Sequence, residues 1–345
     1  MSYDIRYTNY DIRFSYKDIR MDVIGIGALN LDFIYEIQDM GYLKTAGIDI
    51  EAGKEIVGGD DILEGLRDKL NRFGTLKKVA PGGSASNTCH VLSRMGFGVG
   101  LVGVLGEDRE GDFYLKQLPY ADKGTIVRRG RSGMAYIVNT PKRDRSIIVI
   151  PNSNSDLTAQ DVGKSDLSGP RWVHMTSYVK DQAMEAQLYI KKQISGKVPF
   201  SIDPGEIYAA MGEKIYPLID GAEILFTTEK EILMLYGDDV NKAIGKALEM
   251  VNIVVVKKGK KGASLCTKNN SVDAQAGKVH VVDNTGAGDV LNGVFLGLYI
   301  QGKDPAGALG AAVKAASIST TGFGRDAYPD AKMVEELLHS NEKGN

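Results

Sequence analysis

The chain has 345 residues and a formal net charge of −2 at pH 7, with 43% hydrophobic and 25% charged residues. That length suits one large α/β domain with a smaller appendage, and a charge so close to zero excludes a general attraction to nucleic acid or to an anionic membrane. Because no apolar run is long enough to cross a membrane and the two cysteines lie far apart, we expect a cytoplasmic protein without a disulfide.

The first twenty residues differ in pattern from the rest of the chain. Asp-Ile-Arg occurs three times at a spacing of seven, beginning at Asp4, Asp11 and Asp18. Isoleucine is the only apolar residue that repeats, so the segment would make a poor coiled-coil seam. We therefore expect residues 1–20 to be a non-catalytic extension ahead of the first strand.

From Met21 onward, short apolar stretches alternate with amphipathic ones. The predicted strands are Val23–Gly27, Val99–Val104, Trp172–Met175, Phe200–Ile202, Ile224–Phe226 and Ile253–Lys257, and helices are predicted at Ser86–Met95 and Asp112–Leu118. This alternation predicts a parallel sheet with helices on both faces. Such sheets bind ligands beyond the carboxyl ends of their strands.

Two segments, 33–78 and 126–150, interrupt this rhythm with apolar residues at alternate positions. They predict short strands at Ile34–Ile37, Ile48–Ile50 and Glu55–Gly58, a helical stretch at Asp61–Phe73, and further strands on either side of a polar turn at 141–145. We expect a small antiparallel sheet over the site, inserted into a core made of residues 21–32, 79–125 and 151–335.

The most informative stretch runs from Asp283 to Asp289 and reads Asp-Asn-Thr-Gly-Ala-Gly-Asp. The β-branched Val281 and Val282 before it predict the end of a strand, and the apolar run after it predicts a buried helix beginning near Asp289. A glycine turn at a helix N-terminus presents backbone N–H groups to an anion, and a carboxylate beside it is positioned to take a proton. These features predict a site for a transferring phosphoryl group.

Polar residues near the first strand suit a hydroxylated ligand. Asn30 and Asp32, two residues apart, point to the same side of an extended chain, as a pair of vicinal sugar hydroxyls requires. A plain polar turn is the alternative. Gly82 and Gly83 allow close approach of a ligand to the backbone, and Asn87 follows in the first turn of a predicted helix.

Two further turns follow predicted strands, and each leaves two interpretations open. Thr228 and Glu231 have the spacing of a capping box at a helix start, and a role of Glu231 at a bound metal is the alternative. The lysine-rich turn 257–262 fits either a polyphosphate site or a solvated hairpin turn.

The string Asp283–Asp289 resembles the D-T-x-G-A-G-D signature of the ribokinase-like (PfkB) carbohydrate and nucleoside kinases, and Gly82–Asn87 resembles their G-G-x-x-x-N signature. The resemblance extends from about Met21 to the region of Gly322. It implies a ribokinase-like three-layer α/β/α sandwich with a small inserted β-sheet lid, formed by residues 33–78 and 126–150. It also implies transfer of a phosphoryl group from ATP, with Mg²⁺, to a primary hydroxyl of a small molecule.

The resemblance also assigns roles to individual positions. Asp289 is the expected catalytic base, and the amides of Gly286, Ala287 and Gly288 are the expected anion hole. The expected acceptor-binding residues are Asn30, Asp32, Gly82, Gly83, Asn87 and, from the lid, Arg145. The nucleotide site is expected to include Asp203, Thr228, Lys257, Gly259, Gly262, Asp283 and Thr285. Glu231 is expected to order the magnesium shell through water, with Thr228 standing where the family has Asn.

The acceptor is suggested by two stretches, Pro81–Thr88 and Gly111–Leu115, which look most similar to the adenosine-kinase branch. An adenosine-like ribonucleoside is therefore the leading acceptor. A sugar or sugar acid is the alternative within the family, and a non-catalytic nucleoside- or sugar-binding regulator is the alternative from another functional class. We expect no nucleic-acid or membrane partner, and the resemblance leaves a monomer and a homodimer open.

Overall fold

The computed structural model describes residues 21–45, 47, 48, 50, 53–59, 66–118, 126–140, 145–163, 167, 169–237 and 239–342. The Asp-Ile-Arg repeat, residues 61–65 of the predicted helical stretch and most of the predicted turn at 141–145 lie outside these residues.

The described residues contain fourteen strands. These are β1 Val23–Ile26, β2 Asn30–Ile37, β3 Glu55–Val57, β4 Gly74–Pro81, β5 Val99–Leu105, β6 Ile126–Arg128, β7 Gly133–Asn139, β8 Arg145–Ile150, β9 Trp172–Thr176, β10 Phe200–Asp203, β11 Ile224–Thr228, β12 Ile253–Lys257, β13 Ala263–Cys266 and β14 Ser271–Ala274.

The same residues contain thirteen α-helices. These are α1 Gly41–Thr45, α2 Leu66–Phe73, α3 Ser84–Arg94, α4 Arg109–Gln117, α5 Ala159–Val162, α6 Asp181–Ile194, α7 Gly205–Ala209, α8 Tyr216–Ile219, α9 Glu229–Tyr236, α10 Val240–Met250, α11 Ala287–Ile300, α12 Pro305–Ser319 and α13 Ala331–Glu342. None of these helices is long and apolar enough to cross a membrane.

Nine strands form the main sheet in the order β14-β13-β12-β11-β10-β9-β1-β5-β6. From β12 to β6 all neighbours are parallel, while β13 and β14 pair antiparallel at one edge. The central strands β1 and β5 are buried along their whole length, as expected when helices cover both faces of a parallel sheet. The carboxyl ends of the parallel strands therefore open at one edge of the sheet.

Helices cover the main sheet on both faces. On one face α11 packs against α12 and α3, and every residue from Asp289 to Leu298 is buried. A helix that is apolar on all sides suits this interior position. Residues of α6, α7 and α10 form a second apolar cluster on the opposite face. The result is the three-layer α/β/α sandwich that was predicted.

A second sheet has five strands in the order β3-β8-β7-β2-β4. The pairs β2–β4 and β7–β8 are antiparallel but β2–β7 and β3–β8 are parallel, so the prediction of an antiparallel sheet was wrong in part. Leu31, Phe33 and Tyr35 of β2 join an apolar cluster with residues of α1 and α2. Asn30 and Asp32 alternate with them and therefore lie on the opposite face of this sheet.

Three local predictions differ from the structure. The strand at Ile126–Arg128 pairs with β5 in the main sheet and not within the second sheet. Residues 48 and 50 are buried without being in a strand. Val281 and Val282 are not in a strand either, since residues 275–286 contain none. β-branched residues favour a strand only where a neighbour pairs with them. The wider division into a core and a lid remains a proposal.

Candidate active site

Three neighbouring parallel strands end together at the carboxyl edge of the main sheet. Asp203 closes β10, Thr228 closes β11 and Lys257 closes β12, and Thr228 lies opposite Lys257 in the register. The N-terminus of α11 lies beside them, since a Cβ placed on Gly288 would be 3.5 Å from Lys257 Nζ. The fold thus joins a helix N-terminus to three polar strand ends, the usual ligand position in a parallel α/β sheet.

The turn before α11 is held by Asp283. Its Oδ1 accepts hydrogen bonds from the Thr285 amide at 3.0 Å and the Thr285 hydroxyl at 2.6 Å, and its Oδ2 accepts one from the Gly324 amide at 3.0 Å. Asp283 is buried, so these bonds replace water that its carboxylate would otherwise need. Asp283 and Thr285 therefore shape the turn, and their direct contact with a nucleotide remains a prediction.

Gly286 is the N-cap of α11 and has a φ of +75°. A Cβ at this position would lie 2.0 Å from the Tyr328 hydroxyl, so the position requires glycine. The first amides of a helix lack intrahelical acceptors, and the Ala287 amide makes only a long 3.4 Å bond to Asn284 O. The amides of Gly286, Ala287 and Gly288 can therefore bind an anion at the N-terminus of α11.

Asp289 lies in the first turn of α11 and is 8% exposed. Its Oδ2 accepts a 2.8 Å hydrogen bond from Asn87 Nδ2, and Asn87 Oδ1 accepts a 3.0 Å bond from Arg325 Nε. Burial raises the pKa of Asp289 to about 6, although the Asn87 hydrogen bond opposes this. At pH 7 such a carboxylate is ionised and basic enough to accept a hydroxyl proton.

The glycine pair before α3 lies directly against β2. The Gly82 amide donates a 2.7 Å hydrogen bond to Asn30 O, and a Cβ on Gly82 would lie 2.0 Å from Asp32 Oδ1. A Cβ on Gly83, whose φ is +91°, would lie 2.0 Å from Ala28 O. Both positions therefore favour glycine, because the backbone there lies closer to Asp32 and to Ala28 O than a Cβ permits.

Arg325 brings a positive charge to this cluster. Its Nη2 donates a 2.8 Å hydrogen bond to Ser86 Oγ. Burial raises the pKa of Asp32 to about 8, and Arg325 is the largest of the charges that oppose this rise. Asp32 is therefore mostly protonated at pH 7, when its carboxyl group can donate as well as accept a hydrogen bond.

Asn154, in the 3₁₀ turn after β8, determines how Asn30 is oriented. Asn154 Oδ1 accepts a 3.3 Å hydrogen bond from the Leu29 amide, so its Nδ2 is the group that faces Asn30. Asn154 Nδ2 donates to Asn30 Oδ1. Because Oδ1 is occupied, the Nδ2 group of Asn30 remains to donate a hydrogen bond to a ligand.

Lys257 and Asp203 form an ion pair beneath α11. Asp203 Oδ2 lies 2.5 Å from Lys257 Nζ and accepts a 2.6 Å hydrogen bond from Asn292 Nδ2. Burial favours neutral forms of both groups, but each charge stabilises the other: the pKa of Lys257 is raised and that of Asp203 lowered. Both groups are therefore ionised near neutral pH.

Thr228 and Glu231 form a capping box at the start of α9. The Glu231 amide donates to Thr228 Oγ1 at 3.2 Å, and the Thr228 amide donates to Glu231 Oε2 at 2.8 Å. Burial raises the pKa of Glu231, while the positive charge of Lys257 opposes the rise. Glu231 thus faces the Lys257 side of the cleft, and its role toward a metal remains a prediction.

The carboxylates at this edge fit Mg²⁺ as a metal that is bound together with a nucleotide. Within the described ranges, no group of three or more His, Cys, Asp or Glu side chains is placed to hold a metal by itself. Mg²⁺ normally keeps several waters and uses one or two carboxylates together with substrate phosphates. A single carboxylate such as Glu231 therefore fits a metal that arrives with a nucleotide.

The remaining predicted residues are Gly259 and Gly262, in the turn after β12, and Arg145 of the second sheet. Gly259 begins the 3₁₀ turn after β12, and Gly262 ends it with a φ of +98° against Ala274 O. The hydrogen bonds of these two glycines stay within their own turn, so their contact with a nucleotide remains a prediction. Arg145 of β8 donates a 3.3 Å hydrogen bond from Nη1 to Asn284 O, which joins the second sheet to the turn before α11.

Several residues of the cluster were not found from the sequence. They are Ser86, Asn154, Asn292, Arg325 and Tyr328. Asn292 lies three residues after Asp289, and this helical spacing could have placed it on the same face of α11. Ser86 lies within the Gly82–Asn87 signature, next to Asn87. Asn154, Arg325 and Tyr328 come from segments without a motif of their own, and only tertiary structure brings them to the site.

The sequence is similar to those of known kinases. The model of the pfkB family of carbohydrate kinases matches residues 60–331. An uncharacterised sugar kinase of Archaeoglobus fulgidus is 32% identical over 241 residues, which cover 67% of this chain and 95% of that protein. A ribokinase of Bacillus subtilis is 29% identical over 279 residues (77% and 90% coverage). A nucleoside kinase of Methanocaldococcus jannaschii is 26% identical over 266 residues (74% and 85%).

Solved structures share the fold over nearly the whole chain. An adenosine kinase from Sinorhizobium meliloti has a TM-score of 0.80 at 21% identity, with 93% of this chain and 99% of that chain covered. A probable sugar kinase from Rhizobium etli CFN 42 gives 0.79 at 23% identity (94% and 99%). A putative ribokinase II from E. coli, in complex with ATP and Mg²⁺, gives 0.74 at 21% identity (93% and 99%). At these identities the likeness shows the fold.

Proposed function

The chain belongs to the pfkB family of carbohydrate kinases and is an ATP-dependent phosphotransferase, and we propose that its acceptor is the primary hydroxyl of an adenosine-like ribonucleoside. The observation that carries the proposal is the pairing of Asp289, a buried carboxylate with a pKa of about 6, with the amides at the start of α11. Asp289 takes the hydroxyl proton, and the amides stabilise the charge of the transferring phosphoryl group.

In the proposed reaction, the acceptor hydroxyl lies between Asp289 and the terminal phosphate of ATP. Asp289 removes the hydroxyl proton as the new oxygen–phosphorus bond forms. The amides of Gly286, Ala287 and Gly288 hold the negative charge that spreads over the phosphoryl oxygens, and the positive end of the helix dipole adds to their effect. Catalysis of this type depends on positioning and on fixed charges more than on covalent chemistry.

The metal and the nucleotide are assigned on the same reasoning. Mg²⁺, when bound, supplies charge neutralisation between the phosphates. Glu231 is the residue we assign to its water shell, because it is a partly buried carboxylate that interacts with Lys257 at this edge without being paired to it as Asp203 is. Support for the pair of ligands comes from the E. coli ribokinase II, a structural neighbour whose complex contains ATP and Mg²⁺.

Two adjacent hydroxyls of a ribose are the proposed targets of Asn30 and Asp32. Asn30 presents an amide N–H group, because Asn154 occupies its oxygen, and a protonated Asp32 both donates and accepts. Gly82 and Gly83 let the sugar approach the backbone, and Asn87 and Arg145 flank it. This arrangement is complementary to a vicinal diol, in which each hydroxyl also donates and accepts.

The nucleoside is favoured over a free sugar by the resemblance of Pro81–Thr88 and Gly111–Leu115 to the adenosine-kinase branch, and the side chains next to Asp32 are apolar. In the register of β2 and β7, Asp32 lies beside Ala135 and Ile34 beside Ile137, so these side chains share one face. Ile34 points toward the loop after α12, where its Cδ1 lies 3.5 Å from the position of a Cβ on Gly324. These three side chains are at most 5% exposed, so Asp32 has apolar and tightly packed surroundings on this face.

A free sugar or sugar acid is the second candidate. It is supported by the relatives themselves, since a sugar kinase at 32% and a ribokinase at 29% identity exceed the nucleoside kinase at 26%.

The test is release of ADP from ATP and Mg²⁺ by the purified chain with adenosine, other ribonucleosides, ribose and a 2-keto sugar acid as acceptors. We expect the highest kcat/KM with adenosine or a related ribonucleoside. The 2′-deoxy and 3′-deoxy analogues should lose about 1–3 kcal/mol, roughly 5- to 150-fold in kcat/KM, because each leaves a buried polar group unpaired.

Equal rates with ribo- and deoxyribonucleosides would contradict the diol contacts. Turnover with sugars alone would identify a free sugar or sugar acid as the acceptor instead.

A further inference from the structure

Lys257 occupies an unusual position for a buried ammonium group. It ends β12 directly beneath α11, its side chain is 13% exposed, and its Nζ lies 3.5 Å from the position of a Cβ on Gly288. Gly288 is one of the three residues whose amides form the proposed anion hole. The ammonium group therefore lies at the anion hole itself, with a small part of its surface open to the cleft.

Opposing charges surround this ammonium group. The N-terminus of a helix carries a partial positive charge, and a cation beside it is repelled. Asp203 offsets that repulsion from one side, through the contact of its Oδ2 with Lys257 Nζ. An ammonium has three N–H donors, so donors remain after the contact with Asp203. A phosphate oxygen in the anion hole would meet both the helix amides and these donors.

A purely structural ion pair explains the arrangement less well. Buried ion pairs add little net stability, because the desolvation of both charges offsets their attraction. Asp203 is moreover held from a second side by Asn292, on the same helix that carries Asp289. A carboxylate fixed by two donors serves to hold the lysine in one geometry, as a preorganised catalytic charge requires.

We propose that Lys257 is a catalytic residue that binds the transferring phosphoryl group, and that Asp203 and Asn292 are its positioning residues. The inference rests on the proposed function. It adds the side chain of Lys257, from strand β12, to the amides of α11 that bind the phosphoryl group. It also changes the role of Asp203 from a direct nucleotide ligand to a residue that acts through Lys257.

The proton and electron balance of the step is simple. The acceptor oxygen forms a bond to the terminal phosphorus, its proton goes to Asp289, and the bond to the bridging oxygen breaks with its electron pair leaving on ADP. Lys257 keeps its proton throughout. The carboxylates of Asp203 and Glu231 raise its pKa despite the opposing effect of burial, so it acts as a fixed cation and not as an acid.

The decisive experiment compares the affinities for ATP and for ADP, without any acceptor, in the wild type and in Lys257→Met. A contact with the terminal phosphate is present with ATP and absent with ADP. A hydrogen bond to a charged group contributes about 1.5–3 kcal/mol, so we expect the ratio of ATP to ADP affinity to fall roughly tenfold or more. With an acceptor present, kcat should fall about 100- to 1,000-fold, with little change in the KM of the acceptor.

Lys258→Met is the matched control. Lys258 is the next residue, but its Nζ pairs at 2.9 Å with Asp273 of the edge strand β14. We expect its nucleotide affinities and its kcat to remain those of the wild type.

An equal loss of ATP and ADP affinity in Lys257→Met, or an unchanged ratio, would overturn the proposal. If the single variant does not fold, the double variant Asp203→Asn/Lys257→Met removes both charges together and leaves no unpaired buried charge; the same ratio decides there. Because no acceptor is needed, a lysine-dependent preference for ATP in a protein that phosphorylates no acceptor would support this inference while contradicting the proposed acceptor.

Discussion

Two buried carboxyl groups near Arg325 have different pKa values, and the difference separates their roles. Burial raises the pKa of Asp32 to about 8 and that of Asp289 to about 6. The Asn87 hydrogen bond offsets part of the rise for Asp289, and the charge of Arg325 offsets part of the larger rise for Asp32. Where two environments separate pKa values in this way, the group that is ionised at pH 7 is the one available to accept a proton.

At the residue scale we therefore predict that kcat/KM depends on pH through the ionisation of Asp289. Its carboxylate form accepts the proton, so kcat/KM should rise with pH up to about 6 and fall about tenfold per pH unit below it. Asp289→Asn should lower kcat by about 100-fold or more and abolish this limb of the profile. Steady-state kinetics between pH 4.5 and 8.5 would measure both effects. Near wild-type turnover in the variant would exclude Asp289 as the base.

Helix α11 shows how one element can be required for both stability and chemistry. It begins and ends next to glycines with nearly the same left-handed backbone, Gly286 with a φ of +75° and Gly302 with a φ of +76°. Their surroundings differ. A Cβ on Gly286 would meet the Tyr328 hydroxyl at 2.0 Å, while nothing lies within 4 Å of a Cβ on Gly302. Substitutions at these two glycines therefore separate the effect of backbone strain from damage to the anion hole.

At the element scale we predict that Gly286→Ala and Gly302→Ala differ in activity. A left-handed non-glycine residue costs about 1–2 kcal/mol, so Gly302→Ala should lower the melting temperature by a few degrees and leave kcat unchanged. Gly286→Ala should lose more stability and at least about tenfold in kcat, because Tyr328 or the turn must move. Thermal unfolding and turnover of both variants provide the comparison. Equal kcat in the two variants would show that the amides at the start of α11 are not used.

In the whole molecule, the first described residues of the chain pack against the main sheet. Met21 packs against an apolar cluster, and the amide and carbonyl groups of Asp22 bond to Gly98 and Arg171. Strand β1 follows at once and lies between β5 and β9, in the interior of the sheet. Residues 1–20 lie outside the described part of the chain, so their role is a prediction from the sequence alone.

At the scale of the molecule we predict that a chain beginning at Met21 folds and keeps its turnover. The twenty residues contain none of the motifs of the site and no second apolar seam position, so their removal should change stability by about 1 kcal/mol or less. A chain beginning at Ala28 is the control, since it lacks β1 and should be insoluble. Loss of solubility or activity on removing residues 1–20 alone would assign them to the core or to an interface between copies.

Local pattern was sufficient for much of the fold and for the centre of the proposed site. Buried parallel strands and amphipathic helices leave a periodicity in the sequence, and the turn from Asp283 to Asp289 is local, because its glycines and the helix that follows are neighbours in the chain. Where the sequence pattern led to a wrong prediction, the reason was the pairing between strands. Val281 and Val282 have the composition of a strand but no strand beside them, and β6 joins the main sheet through its pairing with β5.

The sequence by itself thus determined the alternation of strands and helices, the turn that begins α11 and the family to which the chain belongs. Only the tertiary structure decided which distant groups complete the cluster: Arg325 beside Asn87, Asn154 beside Asn30, and Asn292 beside Asp203. The partners in these pairs are 89 to 238 residues apart. No local pattern encodes such a pair, because its geometry depends on how every intervening strand crosses and pairs, and burial then sets the charges of the groups that meet.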